Sequence, residues 1–380
     1  MTNVLIECPE LISSVKIGVL NPLEYSKKCN VKFKRTSDIN KNDILWSDIL
    51  ISVRGSERAS LEIMKAALYA KRYTIMFLDD DLINIPLGLE STKYFNDKKL
   101  KKYILEILTK SHVLWAVNPK IIEKYASYTI NKKGILTKVP MKIEIKKTNN
   151  ESSLKVLYAG STDHKKTIQK IIKPMIEMFS EEINEKKIAF TFIGANPGIK
   201  NTEHYEYFHD YDEYKRFVKN GNFNIGLAPI ETTEFYKSKY YNKFLEYTSI
   251  GVLGIYTNSE PYNLIVKNKE NGILCENKPE VWYKKIKYLL ENPTEINRMI
   301  KNAQKKISDD FNNEVVSREI LKLIPELSEY KAPEVTLNDI RLKNLKWIFY
   351  GERIKLIIRI YGIKSFLIIP YKIIKKIIGR

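Results

Sequence analysis

An α/β fold with two successive parallel-sheet units is what the sequence predicts, on three observations. Short apolar runs suited to buried strands alternate with stretches of helical periodicity from the N-terminus onward. The alternation breaks at a polar stretch, residues 146–153 (KKTNNESS), and then restarts. With 380 residues, the chain has room for about two domains and a tail.

In the first unit the apolar runs at residues 4–6, 49–53, 74–78 and 113–117 are the expected strands, and residues 57–70 and 98–108 the expected helices. Strands separated by helices imply βαβ crossovers and hence parallel pairing. In the second unit, residues 155–160 form a strand ending in a glycine turn, followed by a helix over 165–179. Strands are expected at 188–194, 223–227 and 252–256, with a helix over 239–250 closed by Gly251 and two more over 279–290 and 294–307. The last forty residues differ: Ile, Leu, Phe, Tyr and Trp mix with evenly spaced Lys and Arg. Residues 352–361 and 371–378 place basic and apolar side chains at helical spacing, with Trp347, Phe349, Tyr350, Phe366 and Tyr371 suited to a headgroup boundary. Two readings of this tail stand side by side, an interfacial amphipathic helix pair and a helix packed back on the protein's own domains.

Composition narrows the function classes. Hydrophobic residues are 44% and charged residues 29% of the chain, enough to bury a core and against global disorder. Cys8, Cys29 and Cys275 are widely separated and odd in number, which argues against a disulfide framework. His112, His164, His204 and His209 form no HExxH pattern, so no zincin-type site is expected. The N-terminus lacks a basic region followed by an apolar one, and no apolar run reaches membrane-spanning length. The expected compartment is therefore the cytoplasm. The net charge of +19 suggests an anionic partner, nucleic acid, a lipid surface or a phosphorylated substrate, with a lysine-rich solvated surface as the other reading for residues 1–330. Residues 331–380 carry 12 basic and 3 acidic side chains, so about half of that excess sits in the tail. No RRM, KH, zinc-finger or helix-turn-helix signature is present, and nucleic acid is not the expected partner.

Residues 226–262 carry the chemistry. A strand ends near Pro229, a polar aromatic loop follows, and a helix is expected from Lys239, with Ser238, Lys239 and Tyr240 at its start. Helix N-termini suit phosphates. On that helix Lys239, Lys243 and Glu246 share one face, so two ammonium groups are available for a diphosphate and one carboxylate for a pair of hydroxyls. An exposed Lys–Glu pair of no functional consequence has the same spacing.

The set Phe235, Lys237, Ser238, Lys243, Glu246 and Tyr247, followed by Gly251-Val252, Pro261-Tyr262 and Asn271-Gly272, resembles the nucleotide-sugar-binding domain of GT-B glycosyltransferases of the "group 1", GT4-like family. Val53-Arg54, then Phe77-Leu78-Asp79-Asp80-Asp81-Leu82 and Ile85-Pro86, together with Gly160-Ser161 and His164, is similar to further segments of one branch of it. The resemblance spans roughly residues 1–325. It implies two Rossmann-like domains facing a cleft: an acceptor domain over 1–150 and a donor domain over 151–325, followed by the basic helical tail, 326–380. It also implies transfer of a sugar from a nucleotide-diphosphate sugar to a saccharide or lipid-linked acceptor, in cell-surface polysaccharide or glycolipid assembly, without a metal or other cofactor. By position, Lys243 would face the pyrophosphate and Glu246 the ribose or donor sugar. Gly160 and Ser161 would close over the phosphates, and Tyr262 would lie near the nucleotide. His164, Ser238 and Lys239 complete the expected donor set. Three departures are visible: Ser238 stands eight residues before Glu246 where the family's E-x7-E motif has its first glutamate, Leu253 replaces the usual proline, and the N-terminal Gly-rich loop is missing.

For the acceptor side, Asp79, Asp80 and Asp81 follow a buried strand and so belong at a sheet's carboxyl edge, where ligands bind. Asp80 is the candidate general base, with acceptor contact or loop support as the other roles for this trio. Their D-x-D pattern is read as fortuitous in this fold. Arg54 is a candidate contact for an anionic acceptor. His164 either touches a ligand or is a satisfied polar residue, and His112 is expected to be structural. A catalytically degenerate partner subunit is the alternative function that Ser238 raises.

Overall fold

The computed structural model describes residues 1–87, 90–144, 153–161, 164–208 and 210–362. The chain divides into two compact units, one formed by Met1–Pro140 with Asn313–Arg380, the other by Met141–Asn312. Each is built on a six-stranded sheet paired in parallel throughout.

In the first unit the strands are β1 (Thr2–Cys8), β2 (Cys29–Arg35), β3 (Ile49–Val53), β4 (Tyr73–Leu78), β5 (Val113–Ala116) and β6 (Lys133–Leu136), in the order β2-β1-β3-β4-β5-β6. The central strands β3, β4 and β5 are buried along their whole length, which is why they read as mostly apolar runs. The two edge strands escape a hydrophobicity search for the opposite reason. β2 carries Lys32 and Lys34, which pair with Asp43, and β6 is only four residues, exposed at Lys133 and Leu136. The Arg58–Tyr69 and Lys98–Leu108 helices lie where their periodicity predicts, the second capped by Asp97.

The second unit has β7 (Leu154–Gly160), β8 (Ile188–Gly194), β9 (Glu203–Tyr205), β10 (Ile225–Ala228), β11 (Leu253–Thr257) and β12 (Ile273–Cys275), in the order β12-β11-β10-β7-β8-β9. One face of this sheet meets Ile168, Ile172, Met175 and Phe179 from the helical segment after β7, with Trp282 and Ile286 from the Pro279–Glu291 helix. In each unit the helix that follows the first strand contains a π turn, Lys16–Leu20 and Ile168–Ile172, placed just before Pro22 and Pro174. Proline has no N–H and crowds the preceding turn, and the wider turn accommodates it.

The two compact units divide at 140 and 312; the expected bounds are 150, from the polar stretch, and 325, from the resemblance. Most of the polar stretch expected as a linker lies outside the described residues. Just before it, residues 141–144 are held on the second unit: Met141 N–H donates to Phe311 O (2.7 Å) and Glu144 N–H to Ser249 O (2.7 Å). Glu144 also pairs with Lys219 (3.0 Å).

After residue 312 the Asn313–Leu323 helix packs on the Asn21–Ser26 helix, with Ser317 Oγ donating to Pro22 O (2.8 Å). The tail forms one helix, Leu345–Tyr361, lying on the Arg58–Tyr69 helix through Leu345, Phe349 and Leu356. Arg353 grips the buried Glu57 (2.7 Å) and Arg359 grips Asp97 (2.8 Å). Packing on the protein's own domain, one of the two readings of the tail, is therefore present. The second expected helix, with Phe366 and Tyr371, lies outside the described residues. No described helix is long and apolar enough to cross a membrane.

Candidate functional site

Two glycines and two tyrosines set the geometry of the second unit's site. Gly226 of β10 and Gly254 of β11 are register partners and so share one face of the sheet. A β-carbon at Gly226 would lie 2.5 Å from the ring of Tyr247, and one at Gly254 would overlap Tyr256. The rings fill the space that the missing side chains leave. Tyr247 belongs to the Asn242–Ser249 helix and donates its hydroxyl to Leu227 O (3.0 Å), pinning that helix to β10. Lys243 and Glu246 lie one turn and one residue before Tyr247, so anchoring the ring fixes both.

Lys243 Nζ lies 2.6 Å from Glu246 Oε2 and 3.4 Å from the hydroxyl of Tyr214, between the rings of Tyr214 and Tyr247. Both ionic side chains are partly enclosed, at 27% and 19% exposure, so the pair is neither a surface bridge nor a dry one. Burial works against the Lys243 ammonium, but Glu246 together with Tyr214 and Tyr247 outweighs it, and the pKa rises well above 10.5. Burial pushes the Tyr214 phenol up to about 12 while Lys243 pulls the other way, so Tyr214 stays a neutral hydroxyl facing a fixed cation. Tyr262 is buried and packs on Tyr256 with ring centroids 4.7 Å apart.

At the end of β7, Gly160 is a close-approach position: a β-carbon there would lie 2.6 Å from the Tyr158 hydroxyl. The adjacent Gly194, at φ +86, stands directly over Gly160 O. Ser161 O accepts from His164 N–H (3.2 Å), and the His164 ring lies against Tyr236.

The expected helix from Lys239 is interrupted. A short turn, Glu234–Lys237, ends at Ser238, and the longer helix begins only at Asn242. Ser238 is buried and donates to Glu234 O (2.9 Å), and Tyr240 and Tyr241 pack ring on ring, 4.1 Å apart. Lys239 thus lies outside the helix that carries Lys243 and Glu246, with its ammonium 4.7 Å from the Phe235 ring centroid. The expected single face of Lys239, Lys243 and Glu246 reduces to Lys243 and Glu246.

In the first unit the strand ends bring Arg54, Asp79 and Asp80 together. Arg54 follows β3 in a left-handed conformation (φ 54) and donates its N–H to Phe77 O (2.9 Å). Its guanidinium reaches Asp79 (3.5 Å) and Asp80 (3.6 Å). Burial works against the charge of Arg54, but the two carboxylates outweigh it and raise its pKa. Ser14 Oγ donates to Asp79 (2.5 Å). Asp81 does not join them. Its side chain is buried and accepts from Lys124 Nζ (2.8 Å), Tyr125 OH (2.5 Å) and Asn84. These bonds tie Asp81 to the Pro119–Tyr125 helix and to Asn84. Burial pushes its pKa up, but these three partners more than offset that and hold it below the ordinary value of 3.8.

By sequence, residues 243–306 match the family described as glycosyl transferases group 1. No curated protein matches the chain by sequence. Among solved structures, the chain is similar to Anabaena HepE in complex with UDP and glucose (TM-score 0.62, 10% identity, 86% of this chain and 100% of that one). It is also similar to sucrose-phosphate synthase from Thermosynechococcus elongatus (TM-score 0.58, 10% identity, 86% and 99%). A third similar structure is the lipopolysaccharide outer core galactosyltransferase WaaB in its apo form (TM-score 0.53, 12% identity, 86% and 99%). The fold is that of the GT-B glycosyltransferases.

The group 1 match begins at Lys243, the residue that the Tyr247–Gly226 contact positions. Three features of this glycosyltransferase fold went unread in the sequence. Tyr214 comes from the Tyr211–Asn220 helix, about thirty positions from Lys243, and no local pattern ties the two. Tyr256 and Tyr158 read as ordinary strand residues, although an i, i+2 pairing of Gly254 with Tyr256 and of Tyr158 with Gly160 is a usable signal. Glu7, in β1, is fully buried and accepts from Ser52 Oγ (2.6 Å), Ser60 Oγ (2.8 Å) and Thr36 Oγ1. It ties strand, helix and loop of the first unit, and an apolar-run search passes over it.

Proposed function

We propose that the chain transfers a sugar from a nucleotide-diphosphate sugar to a saccharide or lipid-linked acceptor in cell-surface polysaccharide or glycolipid assembly. The observation that carries this is the Lys243–Glu246 pair, set by Tyr247 on Gly226 at the start of the group 1 match. A diphosphate arriving at the first turn of the Asn242–Ser249 helix meets the positive end of its dipole and the Lys243 ammonium. As the phosphate draws Lys243 away, Glu246 is released to accept hydroxyl hydrogen bonds from ribose or sugar. Departure of the nucleotide diphosphate builds negative charge, and a fixed cation there lowers that barrier. Gly160 and Ser161, at the end of β7, let backbone approach the phosphates.

On the acceptor side the groups are Arg54, Asp79 and Asp80, with Asp80 as the candidate base for the acceptor hydroxyl. The reaction is proposed to be metal-independent and to need no other cofactor. The enzyme is proposed to work in the cytoplasm at the inner face of the membrane, using residues 341–380. HepE, whose structures hold UDP and UDP-glucose, makes UDP the first nucleotide to try.

A degenerate partner subunit is the second reading, favoured by one observation: where E-x7-E has its first glutamate, Ser238 is buried and bonded to Glu234 O. The test is thermal stabilisation by UDP, GDP, CDP and ADP, alone and as sugar conjugates, followed by transfer assays with any hit. One selective nucleotide, lost in Glu246→Ala, is the expected result. Donor binding without hydrolysis or transfer across a broad acceptor panel would favour the partner subunit, and no binding at all would remove the donor site.

A further inference from the structure

The tail helix Leu345–Tyr361 is apolar on two opposite faces. Leu345, Phe349 and Leu356 are buried against the first unit. On the far side, Trp347, Tyr350, Ile354 and Ile358 recur at three- and four-residue spacing and are 80%, 41%, 40% and 48% exposed. Such a row faces one direction along a helix. A soluble domain has no reason to spend a Trp and two Ile on an exposed stripe unless something covers it.

We infer that this outward stripe docks on the surface of an anionic bilayer, an inference that rests on the membrane-side reading above and gives it a defined surface. Charge selects this occupant. Residues 341–362 carry six basic side chains and one acidic one, and residues 363–380 five basic and none acidic. Arg353 and Arg359 are committed to Glu57 and Asp97, on the packed side. Lys346 and Lys355 are exposed beside the stripe. Two copies meeting stripe to stripe would bring like charges together, whereas anionic headgroups around an apolar interior match both features. A nucleic acid would satisfy the lysines and leave the Trp and Ile residues uncovered. Because the inner face is already clamped by two Arg–carboxylate pairs, the outer face is presented on a preformed helix. Binding therefore does not pay for helix formation.

The test is flotation of the full chain with vesicles of phosphatidylcholine alone and of an equimolar phosphatidylcholine–phosphatidylglycerol mixture. The expected result is association with the anionic vesicles that weakens with salt and falls roughly tenfold or more in Trp347→Glu/Ile354→Glu, two exposed positions. Trp347→Ser/Ile354→Ser serves as a second pair that adds no charge. Melting temperature and UDP affinity measured on the same samples separate this from the donor-site reading, since both stay at wild-type values if only docking is lost. Unchanged flotation in both double variants would overturn the proposal, because residues other than the stripe would then hold the lipid. Absence of flotation, with a dimer in solution that the same variants dissociate, would overturn it in favour of a second copy.

Discussion

The ring of Tyr247 occupies the space above Gly226 that a side chain would fill, and its hydroxyl is bonded to Leu227 O. That contact couples a strand glycine to the position of Lys243, one turn earlier on the helix. Gly226→Ala is therefore expected to destabilise the second unit by roughly 1–3 kcal/mol, as overpacking does, and to weaken nucleotide binding as the helix shifts. Tyr247→Phe keeps the ring, loses one hydrogen bond worth about 1 kcal/mol, and retains most of the binding. Urea unfolding with nucleotide titration of both variants checks this. Equal loss of binding in the two would show that the hydroxyl, not the packing, holds the helix.

Lys243→Ala is expected to weaken nucleotide-diphosphate binding by about 10–100-fold, the range for a charge-assisted hydrogen bond. It leaves Glu246 without its ion-pair partner in a half-enclosed site. Glu246→Gln, which keeps the shape, should affect nucleoside and sugar recognition more than inorganic diphosphate. Calorimetry with UDP, UDP-glucose and diphosphate separates these effects, and equal losses for all three ligands in both variants would refute the division of labour.

Asp80→Asn tests the acceptor side. A general base contributes about 10²–10⁴-fold to rate, so kcat should fall by that order with donor affinity unchanged. A change confined to the acceptor KM would make Asp80 a contact to the acceptor instead.

Asp81 gives a pH-dependent prediction. Its pKa is below the ordinary 3.8 in the folded protein because Lys124, Tyr125 and Asn84 outweigh burial. The stability it supplies is thus present in full above the ordinary carboxylate range and is lost as pH falls through the folded value. Asp81→Asn should cost roughly 2 kcal/mol at neutral pH, with the gap to wild type closing below about pH 4. A gap that persists in acid would show that the cost is steric rather than ionic.

The three cysteines are buried, and burial raises their pKa, to about 12 for Cys8 and Cys275 and about 11 for Cys29. Thiolate is the reactive form, so the native protein should not react with Ellman's reagent, and all three thiols should react in urea. Rapid native modification of Cys29 would place it at the surface.

The sequence by itself determined the α/β class and the central strands of both sheets. Burial on two faces favours mostly apolar residues, as in 49–53 and 188–194, where Ser52 and Thr191 are the only polar side chains. It also determined the residue types of the site: Lys243 and Glu246 three apart, and three carboxylates after β4. Only the tertiary structure decided which of these work together. Lys239 leaves the helix because Ser238 turns inward to Glu234 O, and Asp81 leaves the carboxylate trio because Lys124 and Tyr125 come to it from a later helix. Tyr214 joins Lys243 from a different helix. The edge strands β2 and β9 were invisible because an edge needs only half a hydrophobic pattern and carries charge. The tail's two apolar faces read as one amphipathic mixture until packing separated the face that meets the Arg58–Tyr69 helix from the face left outside. Spacing along a chain fixes which side chains share a face, whereas the partner of that face comes from elsewhere in the chain, 29 positions away for Tyr214 and Lys243 and 296 for Glu57 and Arg353.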